Sequence, residues 1–161
     1  MVTRRPSSAQ TGFSLLFVLF SIALLSITLT AASLVWSTEL REQKERELLF
    51  VGQEYRNAIR SYYLMIPGRP EYPTSLQSLI LDPRFPNTVR HLRKIYPDPL
   101  TGHALALVRD PQGGGIMGVY SNATGTPVKV AGFDLADGQF KNASSYAQWL
   151  FIFTPIDSKR L

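Results

Sequence analysis

The chain has 161 residues and a formal net charge of +5, from 17 Lys and Arg against 12 Asp and Glu. At 45% hydrophobic and 18% charged residues it can bury a core and is not a disordered chain; its length suits one domain of ordinary size. It contains no Cys, which excludes disulfides, thiolate metal sites, cysteine nucleophiles and lipid attachment through Cys.

The first dozen residues are polar, with Arg4 and Arg5 as their only charges. Residues 13–38 then contain no Asp, Glu, Lys, Arg, His or Pro. As a helix this run measures about 39 Å at ~1.5 Å per residue, more than the ~30 Å of a bilayer core. Its Leu, Ile, Phe and Val residues up to Val35 favour insertion by about 4 to 8 kcal/mol in sum. The hydroxyls of Ser14, Ser21, Ser26, Thr28, Thr30 and Ser33 offset part of this, and each can bond back to a carbonyl one turn earlier. Residues 13–35 are therefore expected to span a membrane, with Arg4 and Arg5 holding the N-terminus in the cytoplasm. A cleaved secretory signal is a competing reading, with Thr30-Ala31-Ala32 as its small-x-small site, but the apolar run is nearly twice the usual length. A plain signal anchor is another.

Residues 39–47 are almost all charged, and Glu42 precedes Arg46 in the favourable i,i+4 order. Leu48, Val51, Tyr55, Ile59, Tyr62 and Ile66 follow at spacings of three or four, one face of an amphipathic helix. Gly52 weakens that helix by about 1 kcal/mol relative to Ala without breaking it, and Pro67-Gly68 ends it. One helix from about residue 13 to 66 is expected, roughly 80 Å long at helical rise.

Beyond residue 67, Pro and Gly punctuate a series of short elements. Thr74 and Ser75 are N-cap candidates for a short helix carrying Leu76, Leu79 and Ile80. A helical turn is expected over 89–95, strands over 104–109 and 116–121 as a hairpin, a further strand over 128–131 and a last one over 149–153. A helix followed by a small antiparallel sheet that covers its apolar stripe is an α+β arrangement.

Gly12-Phe13-Ser14-Leu15-Leu16 lies where the polar leader meets the apolar run. It resembles the processing site of type IV prepilins and type II secretion pseudopilins. That family's peptidase cuts after the Gly and methylates the new N-terminal residue, here Phe13. Tyr72-Pro73 with Leu76 and Leu79, Tyr96-Pro97-Asp98-Pro99 with Gly102, and Gly118-Val119-Tyr120-Ser121 resemble body segments of the G-type pseudopilin and its relatives. The resemblance implies a pilin-like α+β fold, with 1–12 as leader, 13–35 as transmembrane and assembly helix, and 36–161 as a periplasmic domain. It also implies a single-pass protein of the bacterial inner membrane, drawn after processing into a filament. The implied partners are other pilin-like subunits through the N-terminal helix, the prepilin peptidase and an inner-membrane assembly platform. The family's Glu at the fifth mature position is Phe17 here. That Glu pairs with the terminal ammonium of a neighbouring subunit, so its replacement points to a minor or tip subunit.

No catalytic set is read. His91 and His103 have no metal-type spacing, and Gly113-Gly114-Gly115 lacks the ending of a phosphate-binding loop. No cofactor and no metal site are expected. Asp134 and Asp137, which a calcium loop of the family would use, are too few carboxylates for ~6–8 oxygen ligands unless backbone carbonyls fill in. Arg84, Arg90, Arg93 and Lys94, with His91, form a basic cluster that could contact an anion or a partner subunit; the modest charge excess makes nucleic acid the less favoured partner. The function expected is structural and not enzymatic. The alternatives are a membrane-anchored periplasmic binding domain and a DNA-uptake minor pilin.

Overall fold

The computed structural model describes residues 11–155, and inside the first helix the side chains of 13–24 and of 39 onward. Residues 1–10 of the expected leader lie outside the described residues, as do the side chains of positions 25–35 of the expected span. The chain divides into two compact units, Met1–Leu40 and Arg41–Leu161.

Helix α1 is Thr11–Leu64. In the second unit its stripe of Leu48, Val51, Tyr55, Ile59 and Tyr62 is buried, together with Ala58. Burying each large side chain of this face contributes about 1.5–3 kcal/mol. Ile66 lies past the end of the helix and is half-buried. A short helix α2, Gln77–Ile80, follows; the Ser75 hydroxyl accepts the Ser78 N–H at 3.3 Å.

Strands β1 (Ala106–Arg109), β2 (Ile116–Tyr120) and β3 (Phe151–Ile152) form one antiparallel sheet in the order β1-β2-β3. Val119 faces Leu107 on one side and Phe151 on the other, and a bulge falls between Val108 and Arg109. Pairing of the last segment is short, but its alternation holds: Trp149, Phe151 and Phe153 are buried while Leu150 and Ile152 are half-buried. The rings of Phe133, Phe140, Tyr146 and Trp149 meet at centroid distances of 5.6–5.9 Å, mostly edge to face, the geometry that aromatic quadrupoles favour.

Two expected elements are absent. Residues 128–131 form no strand, because the N–H groups of Val128 and Lys129 donate to the Glu45 carboxylate at 2.7 and 3.0 Å. Residues 89–95 form no helical turn; the N–H groups of His91 and Leu92 both donate to the Leu79 carbonyl, at 2.8 and 2.9 Å, which ties this segment to α2. At 128–129 two successive N–H groups turn to one carboxylate, which the alternation of a strand does not allow.

Gly52 has a packing reason. A Cβ there would overlap the ring of Phe151, so the aromatic side chain of β3 lies directly against the helix backbone. Gly52→Ala should therefore lower stability by about 1–2 kcal/mol, because overpacking outweighs the gain in helix propensity. Asn57→Ala, at an exposed position of the same helix, should leave stability unchanged or raise it. Urea unfolding of the detergent-solubilised full chain compares the two.

Candidate functional site

The start of α1 is the first candidate surface. Nine large apolar side chains between Phe13 and Leu24 are 49–77% exposed, Phe13 and Phe17 among them. They include the consecutive run Leu15, Leu16, Phe17, Val18, Leu19 and Phe20, so they face every side of the helix. Ser21 does not break the apolar surface, since its hydroxyl donates to the Phe17 carbonyl at 2.8 Å. Twelve residues cover about 18 Å at ~1.5 Å per residue, short of a bilayer core. Among the described residues no helix is long and apolar enough to cross a membrane.

The expected basic cluster divides into two parts. Arg84 is committed to the fold: its Nε and Nη2 donate to the Asp82 carboxylate at 2.7–3.1 Å, and Nη2 also donates to the Tyr62 carbonyl at 2.9 Å. The guanidinium lies 3.6 Å from the Tyr62 ring centroid, a cation–π contact. Arg90, Arg93 and Lys94 are exposed. They form no ion pair among the described residues, although Lys94 lies 5.1 Å from the Tyr96 ring centroid.

His91 belongs with Arg84. Its side chain is 2% exposed, and its ring bonds Ser61 Oγ at 2.8 Å through Nδ1 and Asp82 Oδ2 at 3.2 Å through Nε2. Serine, histidine and aspartate thus stand in line. Asp82 is also paired with Arg84, and the N–H groups beside Ser61 serve the helix ladder. The line of bonds ties α1 to the segment after α2.

The acidic pair behaves similarly. Asp137 contacts Arg56 Nη2 at 2.7 Å, with both side chains about nine-tenths buried. The contact is ionic and lacks the alignment of a hydrogen bond. Asp134 is exposed. Among the described residues no group of three His, Cys, Asp or Glu is placed to hold a metal.

Glu45, which the sequence did not single out, and Asp98, quoted above only as part of its turn segment, are structural centres. The Glu45 carboxylate accepts the Tyr146 hydroxyl at 2.6 Å besides its two N–H donors. Burial, then the bond to Glu45, pushes the Tyr146 hydroxyl up to about 12. Glu45 sits three residues before Leu48 on the apolar stripe, and that position was the available signal. Asp98 is buried and accepts from Leu100 N, Thr101 Oγ1 and Ser121 Oγ at 2.7–3.0 Å.

Comparison of the chain with protein-family models, with curated proteins and with solved structures finds no match.

Burial opposes ionisation of Asp82, but the hydrogen bonds from the Arg84 side chain and backbone and from His91 outweigh it. The carboxyl falls from its ordinary 3.8 to about 2. With the folded value below the unfolded one, the stability this group adds is complete above about pH 4. It is lost as the pH falls through about 2. Asp82→Asn should lower the urea midpoint at neutral pH and flatten its decline between about pH 4 and 2. An unchanged acid profile would show that the Arg84 bonds do not hold this carboxylate.

Proposed function

We propose that the chain is a pilin-like structural subunit of a type II secretion or type IV pilus filament, a minor or atypical one. The observation that carries this reading is the largely apolar, outward-facing surface of α1 over residues 13–24, directly after Gly12. Monomeric soluble proteins rarely expose so large a contiguous apolar patch. Lipid or the matching helices of other subunits would cover it, with helix packing as the assembly force.

In this reading a prepilin peptidase cuts between Gly12 and Phe13. The 13–35 segment then holds the chain in the inner membrane until the assembly platform draws it into the filament. The domain after residue 35 sits in the periplasm. The role is mechanical, with no turnover and no cofactor. Phe17 in place of the usual Glu offers no carboxylate to the terminal ammonium of another subunit, which suits a position with no subunit ahead of it. A membrane-anchored binding domain is the second reading, favoured by the exposed Arg90, Arg93 and Lys94, which form no ion pair among the described residues.

Mass spectrometry of the mature protein tests the proposal: the expected N-terminal residue is a methylated Phe13. Replacing Gly12 by a bulky residue should block the cut. A mature chain that starts at Met1, or near Ser33, overturns the proposal. Processing that ignores the Gly12 replacement does so too.

A further inference from the structure

The bonds at His91 fix which of its nitrogens carries the proton. Asp82 is held ionised by its hydrogen bonds from Arg84, with its carboxyl lowered to about 2, and an ionised carboxylate can only accept. The 3.2 Å contact between His91 Nε2 and Asp82 Oδ2 therefore has the proton on Nε2. In the neutral ring the lone pair is then on Nδ1, and the Ser61 hydroxyl, 2.8 Å away, donates to it.

Burial separates the two ends of this line. The side chains of His91 and Asp82 are 2% and 0% exposed, whereas Ser61 is exposed, next in the chain to the buried Tyr62. The imidazole is thus shielded from bulk water, and its lone pair meets an oxygen that a molecule in solution can reach. A hydroxyl bonded to a base that a third group orients is the arrangement of an activated nucleophile. Arg84 does not disturb it: Asp82 Oδ2 accepts from Arg84 and from His91 together. The carboxylate has only to hold the tautomer and steady the imidazolium.

We propose that Ser61 is an acyl-accepting serine, which takes the acyl group of an activated carboxylic ester. Its Oγ attacks the ester carbonyl carbon while the hydroxyl proton passes to His91 Nδ1. The bond from Oγ to that carbon forms, and the bond to the leaving oxygen breaks with its electron pair on the oxygen. The imidazolium then gives the proton to the leaving oxygen, so the products are an O-acyl serine and a free alcohol or phenol. The backbone N–H groups around Ser61 serve the helix ladder and supply no oxyanion donor. This selects an ester whose good leaving group already lowers the first barrier. It also leaves the acyl-serine ester slow to hydrolyse, so the reaction is a modification and not a cycle. The site lies within the second unit and stands whether or not the chain is a pilin-like subunit.

Treatment of the detergent-solubilised full chain with p-nitrophenyl acetate, followed by peptide mapping, tests this. Ser61 should acquire the acetyl group about a hundredfold faster than Ser144, an exposed serine elsewhere in the same unit. Because both rates are read in one chain, this comparison needs no variant. Labelling of Ser61 should also be slower in deuterated water, as proton transfer to a base requires. His91→Gln keeps hydrogen-bonding groups but has no basic nitrogen. It should bring Ser61 down to the rate of Ser144 and leave Ser144 unchanged. Equal rates at the two serines of the unaltered chain overturn the proposal. So does fast labelling of Ser61 that survives His91→Gln.

Discussion

The buried face of α1 between Glu45 and Tyr62 is the constraint on which the second unit depends. The other regular elements described there are a four-residue helix, three strands of two to five residues and two 3-10 turns. None of these can bury a continuous apolar surface alone, and a small sheet needs a packed face to persist. The helix supplies that face, and Gly52 lets the Phe151 ring reach its backbone.

A second feature accounts for the long irregular segments. Each is tied by a buried polar group. Glu45 holds residues 128 and 129 and Tyr146. Asp98 fastens its own turn to Ser121. Asp82 gathers Arg84 and His91 beneath Tyr62. Tyr55 donates to the Tyr96 carbonyl and accepts the Tyr96 N–H, while the Tyr72 hydroxyl donates to the Phe153 carbonyl. Removing one partner from such a group leaves the other buried and unsatisfied, which costs about 1–3 kcal/mol and more for charges. These bonds hold the irregular backbone where no sheet ladder does.

The sequence made the stripe and the hairpin legible because both are periodic. Leu48, Val51, Tyr55, Ile59 and Tyr62 repeat at helical spacing and are buried. Ile116 to Tyr120 stands between turn signals and pairs with β1. Residues 89–95 and 128–131 are not legible in sequence because local pattern says nothing about an acceptor twelve or eighty residues away. Arg84 was grouped with Arg90, Arg93 and Lys94 because charge runs do not reveal which member turns inward. Asp82, two residues before it, was the clue. A hollow between Leu49, Phe50 and Phe133 is invisible in sequence, since a recess forms only when 49–53 and 129–137 come together.

Helix α1 supplies a core face from Glu45 onward and, in the function proposed, an apolar start that lipid or other helices cover. Hydrogen exchange on the full chain, in detergent and in lipid nanodiscs, addresses both duties at once. The account predicts that amides of 45–62 exchange slowest and together with those of β2, as one cooperative unit. It also predicts that amides of 13–24 gain protection on transfer into lipid. Residues 45–62 exchanging independently of β2, or 13–24 indifferent to lipid, would contradict it.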